Sequence, residues 1–149
     1  MDIRINRIED NKSKQNLLEE KIRDEDATLT YVPTYIFVKY IDLFLAAFSG
    51  DKCIGIIDGY ETEYSGKIDI FILLSEYKDT EVGKLLLDEI ENYFKTLGKK
   101  SVSVCLPESD ISERYEYQFF KNNGYVEYEI EDGEDTQFYS WLRMIKLLN

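Results

Sequence analysis

The feature that most constrains the fold is a long amphipathic stretch between two short apolar runs. From Val82 to Leu97 apolar residues recur at spacings of three and four, and Gly98, a common helix end, follows. The flanking runs, 67–74 and 101–106, have the length and composition of strands. A strand-helix-strand crossover makes its two strands parallel, so the sequence predicts a sheet with at least one parallel pair.

The other segments predict mainly antiparallel strands around this unit, because glycine and aspartate separate successive apolar runs. The segment 30–41 contains Pro33 and is compatible with a short helix or an edge strand, of which we favour the helix. The remaining predicted elements are a strand at 3–8, a helix at 14–26, strands within 42–64 and 65–75, a helix at 112–124, and two strands around Asp132-Gly133.

The predicted element order is therefore β-α-α-β-β-β-α-β-α-β-β. We expect an α+β fold with a mixed, mostly antiparallel central sheet and helices on both of its faces. The length of 149 residues suits one domain, spanning 1–149.

The charge balance restricts the classes of partner. Thirty acidic and eighteen basic residues give a formal net charge of −12. Such a charge disfavours nucleic acids and anionic membranes and favours cationic small molecules or basic peptides. The alternative is that the acidity only keeps the protein soluble.

The absence of histidine excludes several kinds of site. A Ser-His-Asp triad, a Cys-His dyad and the usual histidine-containing metal sites all require that residue, so we expect no metal. Cys53 and Cys105 lie in apolar runs and predict buried free thiols. No run approaches the roughly 20 apolar residues of a membrane-spanning helix, and we expect a cytoplasmic protein.

The segment that opens the long helix, EYKDTEVGKLLLDEI at 76–90, is a candidate anion site. Free backbone N–H groups and the positive helix end bind phosphate groups at such a position. Asp79 and Glu81 at the same place are equally typical of a helix start that binds nothing.

The strand, the turn, this loop and the later sequence FKNNGY together resemble the GNAT superfamily of acyl-CoA-dependent N-acyltransferases. The resemblance covers the element order of the whole chain and is sharpest over about 67–125. Lys78 stands at the Arg/Gln position of the family's Arg/Gln-x-x-Gly-x-Gly/Ala motif, and Gly83 is its last glycine. Glu81 replaces the middle glycine, and Phe120 replaces the tyrosine of the family's Tyr-x-x-x-Gly-Phe pattern.

The resemblance implies that acetyl-CoA binds between the strands 67–74 and 101–106 as a co-substrate. The residues expected to bind it are Leu73, Lys78, Asp79, Thr80, Glu81, Val82, Gly83, Lys84 and Phe120. Lys78 and Lys84 would offset the charge of Glu81 if that side chain turns outward.

The catalytic groups of such a transferase remove a proton from the attacking amine and protonate the leaving thiolate. Asp69 is the first candidate base, because it interrupts an apolar strand beside the expected cofactor site; it would otherwise lie on an exposed strand face. Glu61 or Glu63 on the preceding strand is the second candidate. Tyr117 lies one helical turn before Phe120 and is a candidate phenol, although surface exposure is its simpler interpretation.

Two functions follow from these residues. The first is transfer of an acetyl group to a primary amine of a cationic small molecule or peptide. The second, favoured by Glu81 and Phe120, is a catalytically degenerate domain that binds a protein or senses acyl-CoA. The aromatic run FYSWLRMIKLL near the C-terminus is compatible with a homodimer face or with the protein's own core.

Overall fold

The computed structural model describes residues 2–22, 27–29, 41–107, 115–132 and 140–149. The strands are β1 (Ile3–Arg7), β2 (Ala27–Leu29), β3 (Leu43–Ser49), β4 (Lys52–Glu61), β5 (Gly66–Leu74), β6 (Ser101–Pro107), β7 (Val126–Asp132) and β8 (Ser140–Leu147). The helices are α1 (Asn11–Ile22), α2 (Val82–Thr96) and α3 (Tyr115–Asn122), and a short 3-10 turn covers Ser75–Tyr77.

The strands form one mixed sheet in the order β1-β3-β4-β5-β6-β8-β7, and β2 pairs with β5 outside this series. The β5–β6 pair is parallel, as the crossover predicts, while every other pair in the described sheet is antiparallel. The predicted α+β class, with a mostly antiparallel sheet, is therefore confirmed.

Side chains from the two faces of the sheet enter two separate cores. Leu18 of α1 packs on one face, against a cluster that includes Phe44, Ile56 and Ile72. Helices α2 and α3 cover the other face, where Phe71 and Leu73 belong to the larger core. Helices thus lie on both faces, because alternate residues of β5 point to opposite sides.

Helix α2 buries the apolar stripe that its periodicity predicts. Leu86, Ile90 and Phe94 are each completely buried. The helix closes at Gly98, whose φ of +81° suits a residue without a side chain. Leu97 is the exception to the predicted stripe, because it lies at the frayed end and is 43% exposed.

Two predictions from the sequence differ from the structure or lie partly outside the residues that it describes. The helix predicted at 14–26 is found as α1 (Asn11–Ile22), and its predicted last four residues lie outside the described residues. The short strand β2 was not predicted from the sequence. The helix favoured at 30–41 lies outside the described residues apart from Ile41. Cys53 is buried and Cys105 half-buried, both as free thiols. Across the described ranges, the helices are too short or too polar to cross a membrane.

Candidate functional site

The parallel strands β5 and β6 separate shortly after they begin to pair. Their register joins Gly66, Lys67 and Ile68 to residues 102–104 and extends no further. Beyond this point the same edge of β5 is taken by β2, which pairs with residues 72–74. Between these two pairings, the described register gives Asp69 and Ile70 no partner on β6 or β2. This interruption, called the β5 gap below, lies in the strand region that the resemblance assigns to acetyl-CoA.

A β-bulge shapes the β5 gap from the other side of the strand. In the β4–β5 register Asp58 pairs with Ile70 and Gly59 pairs with Ile68, so Asp69 is the extra residue. Gly59 is required here, because a Cβ atom at this position would lie 2.4 Å from the carbonyl oxygen of Lys67. The bulge therefore places Asp69, the first candidate base, next to the gap.

The bulge also contains a carboxyl group that the sequence analysis missed. Asp58 is 0% exposed, and its Oδ1 accepts a hydrogen bond of 3.0 Å from the backbone amide of Ile70. Its Oδ2 is buried and has no hydrogen-bond partner among the residues that the structure describes. The only sequence signal of this group was a single aspartate in the apolar run from Cys53 to Gly59. Such a residue is normally interpreted as a polar side chain on the solvent-exposed face of an alternating strand.

Both carboxyl groups of the bulge have raised pKa values. Burial raises the pKa of Asp69, and the charge of Lys67 opposes this effect. Burial also raises the pKa of Asp58 well above the usual range, and the negative charge of Asp69 adds to that rise. The hydrogen bond from Ile70 and the charge of Lys14 act in the opposite direction on Asp58. Asp69 is thus the member of the pair that ionises first.

The loop between β5 and α2 presents backbone amides at the helix start. The hydroxyl group of Thr80 donates to the carbonyl oxygen of Tyr77 at 2.7 Å and accepts from the amide of Val82 at 3.4 Å. Within the described ranges, the amides of Gly83 and Lys84 have no hydrogen-bond acceptor. These are the first-turn donors that a helix leaves unused.

The acidic side chains of this loop leave those amides uncovered. Glu81 occupies the position before the helix, and its exposed carboxylate makes no capping hydrogen bond. Asp79 is also exposed. The ammonium group of Lys84 lies 2.7 Å from the carboxylate of Asp88, one turn further along the exposed helix face.

Tyr115, which the sequence analysis did not select, holds Lys78 from the first turn of α3. Its hydroxyl group donates to the carbonyl oxygen of Lys78 at 3.1 Å, and the Lys78 ammonium lies 5.4 Å from the centre of its ring. Burial raises the pKa of Tyr115, and the charges of Asp79 and Glu116 add to this rise. Sequence spacing carries no signal of this contact, because it joins residues 37 positions apart.

Gly83 and Phe120 have packing roles in the structure. A Cβ atom at Gly83 would lie 2.9 Å from the ring of Phe119, so the glycine lets α2 approach α3. Phe119 stacks on Phe71 of β5 with ring centres 4.8 Å apart. Phe120 is 0% exposed and meets Phe71 edge to face, which agrees with the expectation that it packs on the sheet. Leu73 and Val82 are likewise completely buried.

Two other candidate catalytic residues lie away from the β5 gap. The hydroxyl group of Tyr117 donates to the carboxylate of Glu127 on β7, and that hydrogen bond raises the pKa of Tyr117. Its ring lines a groove of about 400 Å³ between α3 and the strands β7 and β8, and it is largely buried rather than surface-exposed. Glu61 is exposed and pairs with Gly66 at the hairpin end of β4, at the opposite end of β5 from α2.

Comparison with known proteins identifies the fold. No protein-family model and no curated protein sequence matches the chain. The NatC complex bound to Gag peptide and CoA is similar in structure, with a TM-score of 0.75, 12% identity and 100% of both chains covered. A Bacillus anthracis protein described as a streptothricin acetyltransferase, solved with acetyl coenzyme A, has a TM-score of 0.73, 14% identity and full coverage of both chains.

A third similar structure carries the family name. It is described as an acetyltransferase of the GNAT family from Desulfovibrio desulfuricans, with a TM-score of 0.70, 10% identity, and 98% of this chain and 99% of that chain covered. The protein therefore has the fold of the GNAT acetyltransferases.

Proposed function

We propose that the protein is an N-acetyltransferase that moves an acetyl group from acetyl-CoA to a primary amine. The observation that carries this proposal is the position of the β5 gap. It opens at the bulge that holds Asp69, on the strand that leads into the uncovered amides of Gly83 and Lys84. A base and an anion-binding helix start therefore lie along one edge, in a fold shared with acetyltransferases solved with CoA or acetyl-CoA.

The loop at 78–83 would hold the pyrophosphate of acetyl-CoA. Amides at a helix start favour an anion, and the carboxylate of Glu81 is exposed and makes no hydrogen bond that would turn it over them. The Lys78 ammonium, held over the ring of Tyr115, supplies a positive charge at the same loop. The backbone amides of Asp79 and Lys84 would contribute at the same loop, whereas those of Thr80 and Val82 already donate to the Tyr77 carbonyl oxygen and the Thr80 hydroxyl group. Leu73 and Phe120 are completely buried and would support the site from the core rather than touch the thioester.

Asp69 would act as the base of the transfer reaction. The amine attacks the thioester carbonyl carbon, a C–N bond forms, and the C–S bond breaks as the thiolate leaves. The ionised carboxylate of Asp69 takes the proton that the amine loses, directly or through water. Its raised pKa suits this role, because a carboxylate with a higher pKa is a stronger base in its ionised form.

The acceptor would be cationic. With a net charge of −12 the protein attracts amines and basic peptides and repels acidic metabolites. The similar structures include a protein described as acting on streptothricin and a complex bound to a peptide, and both acceptor classes agree with this charge.

The second candidate function is acyl-CoA sensing or protein binding without catalysis. It is favoured by Phe120, which places a buried ring where the resemblance expects a phenol. It is also favoured by β2, which occupies the backbone groups of β5 at 72–74 and so leaves a shorter free edge for a ligand.

Two experiments separate these functions. Calorimetric titration with acetyl-CoA tests the enzyme and the acyl-CoA sensor, and the absence of binding at about millimolar ligand would contradict both and leave only protein binding. A thiol-release assay with a panel of amines then tests catalysis alone. We expect Asp69→Asn to lose transfer while still binding acetyl-CoA, and Glu89→Gln, on the exposed face of α2, to behave like the wild-type protein.

A further inference from the structure

The buried carboxyl group of Asp58 needs an explanation, because a buried polar atom without a hydrogen-bond partner is rare and costly. An apolar residue would fit the surrounding strand, whose neighbours Ile56 and Ile57 are both 0% exposed. Asp58 nevertheless accepts a hydrogen bond from the Ile70 amide through Oδ1, and its Oδ2 has no partner in the described part of the chain. The aspartate provides one hydrogen-bond acceptor, and it does so for the backbone amide of Ile70, next to Asp69.

The Ile70 amide lies where the bulge interrupts the regular hydrogen bonds between β4 and β5. Asp69 of β5 lies between the pairings of Asp58 with Ile70 and of Gly59 with Ile68, and the Asp58 side chain binds the Ile70 amide from the opposing strand. Gly59 adds a second, independent constraint, because its missing side chain leaves room for the carbonyl oxygen of Lys67. The bulge is therefore fixed on both sides of its extra residue.

We propose that Asp58 is a positioning residue, whose carboxyl oxygen holds the Ile70 amide and thereby keeps Asp69 at the β5 gap. The inference rests on the proposed acetyl transfer, in which Asp69 is the base. Asp58 does not contact the reacting atoms in this scheme; it acts through the backbone of β5. It holds the bulge as a neutral acid, because ionising a second buried carboxyl group next to Asp69 is unfavourable.

The charged groups around the pair agree with this division. Asp69 on β5 and Lys14 on α1 act on Asp58, and Lys67 acts on Asp69. Asp69 is half-buried and would be accessible to an acceptor amine, while Asp58 is completely buried. Asp69 is thus the carboxyl group placed for proton transfer, and Asp58 is the one that maintains the geometry of the strand.

Asp58→Asn and Asp58→Leu form a matched pair of variants. Asparagine retains the acceptor oxygen and matches the neutral acid, whereas leucine removes the acceptor and keeps the same branching and number of heavy atoms. We expect Asp58→Leu to reduce kcat about tenfold or more with the KM for acetyl-CoA nearly unchanged, because a displaced base affects the chemical step. Asp58→Asn should rescue kcat to within about threefold of wild type and keep the acidic limb of the pH profile, since Asp69 still titrates.

Three results would overturn the inference. If Asp58→Asn is as inactive as Asp69→Asn, Asp58 itself handles the proton and is not a positioning residue. If Asp58→Leu keeps full kcat, the bulge does not need the acceptor. An acidic limb that shifts in Asp58→Asn would show that charge, rather than geometry, is what Asp58 contributes.

Hydrogen exchange at the Ile70 amide provides a readout that does not depend on activity and applies to the folded protein. We expect protection in the wild type and in Asp58→Asn, and faster exchange at Ile70 in Asp58→Leu. If wild-type protein neither binds acetyl-CoA nor transfers an acetyl group while this exchange pattern holds, the proposed function fails and the pinning of the bulge stands. An exchange rate at Ile70 that is equal in all three proteins would contradict the pinning itself.

Discussion

The hydroxyl group of Tyr125 donates a hydrogen bond of 2.8 Å to Oε2 of Glu91. Lys146 of β8 reaches the other oxygen of the same carboxylate at 2.9 Å. These contacts join α2 to the strand β8 and to the residue that precedes β7. Tyr125 is 1% exposed and Glu91 8% exposed, so the network holds two distant parts of the fold together away from water.

Removing the Tyr125 hydroxyl should therefore destabilise the fold. We expect Tyr125→Phe to lower the free energy of unfolding by about 1–2 kcal/mol, because the carboxylate loses one of its two donors in a buried position. Urea denaturation measures this change. Tyr64→Phe, which changes a residue 77% exposed, is the matched control and should leave the midpoint unchanged. Equal stability of the two variants would mean that the Tyr125 hydrogen bond adds nothing.

A substitution at Gly66 should destabilise the fold for a different, steric reason. A Cβ atom at this position would lie 2.2 Å from the ring of Phe94, which is completely buried. We expect Gly66→Ala to cost about 2–3 kcal/mol of unfolding free energy, the usual range for overpacking a core. The double variant Gly66→Ala with Phe94→Leu tests the cause, since it should lose less stability than the sum of the two single changes. Additive costs would show that the clash is not with Phe94.

The contact between Tyr115 and Lys78 predicts an effect on acetyl-CoA affinity. Tyr115→Phe removes the hydroxyl group that holds the Lys78 carbonyl, and the loop then spends less time in its binding geometry. We expect the dissociation constant for acetyl-CoA to rise about three- to tenfold, which corresponds to the loss of one hydrogen bond of modest net strength. Calorimetry measures it, with Tyr128→Phe as the control because Tyr128 is 62% exposed. Unchanged affinity in Tyr115→Phe would remove this residue from the site.

The raised pKa of Asp69 predicts a pH-dependent gain in stability when the carboxyl group is removed. Because burial makes its pKa higher in the folded than in the unfolded protein, the folded state keeps its proton longer as pH rises. The stability of the wild type therefore falls as pH rises from the unfolded pKa to the folded pKa. Asp69→Asn should melt higher than wild type at about pH 7, and the difference should vanish at about pH 3, where both forms of the wild type are protonated. A difference that persists at low pH would point to packing rather than ionisation.

The elements that could be predicted from the sequence have long periodic patterns, and those that could not have short ones. Helix α2 and the hairpin of β3 and β4 extend over many residues, and their periodicity and turn residues were sufficient to predict them. Strand β2 has three residues and exists through its pairing with β5, so it leaves no periodic signal.

The candidate site divides in the same way. Asp69 stood out as a carboxylate in an apolar strand, but the bulge that sets its direction depends on the register between β4 and β5. Asp58 was hidden because an aspartate in a strand is normally interpreted as an exposed residue. The direction of Tyr117 was equally undetermined, since its bond to Glu127 depends on how α3 packs against β7.

Glu81 is the residue through which the binding proposal is tested most directly. Its carboxylate is exposed and makes no capping hydrogen bond, yet it stands next to the amides that would receive the pyrophosphate. A negative charge there repels a phosphate across solvent, at a distance where salt screens the interaction. We expect Glu81→Gln to bind acetyl-CoA about two- to fivefold more tightly than wild type at low ionic strength, with the gain shrinking at about 0.5 M salt.

Glu89→Gln is the matched control, because it removes the same charge from an exposed position on α2, about two helical turns from the loop. Its affinity should stay close to that of wild type at both salt concentrations. If both variants gain equally, the effect belongs to the net charge of −12 and does not place the phosphates at the loop. If neither gains while wild type binds, the pyrophosphate lies elsewhere. A gain confined to Glu81→Gln and abolished by salt would leave the start of α2 as the anion site, because only a nearby charge acts selectively on the ligand.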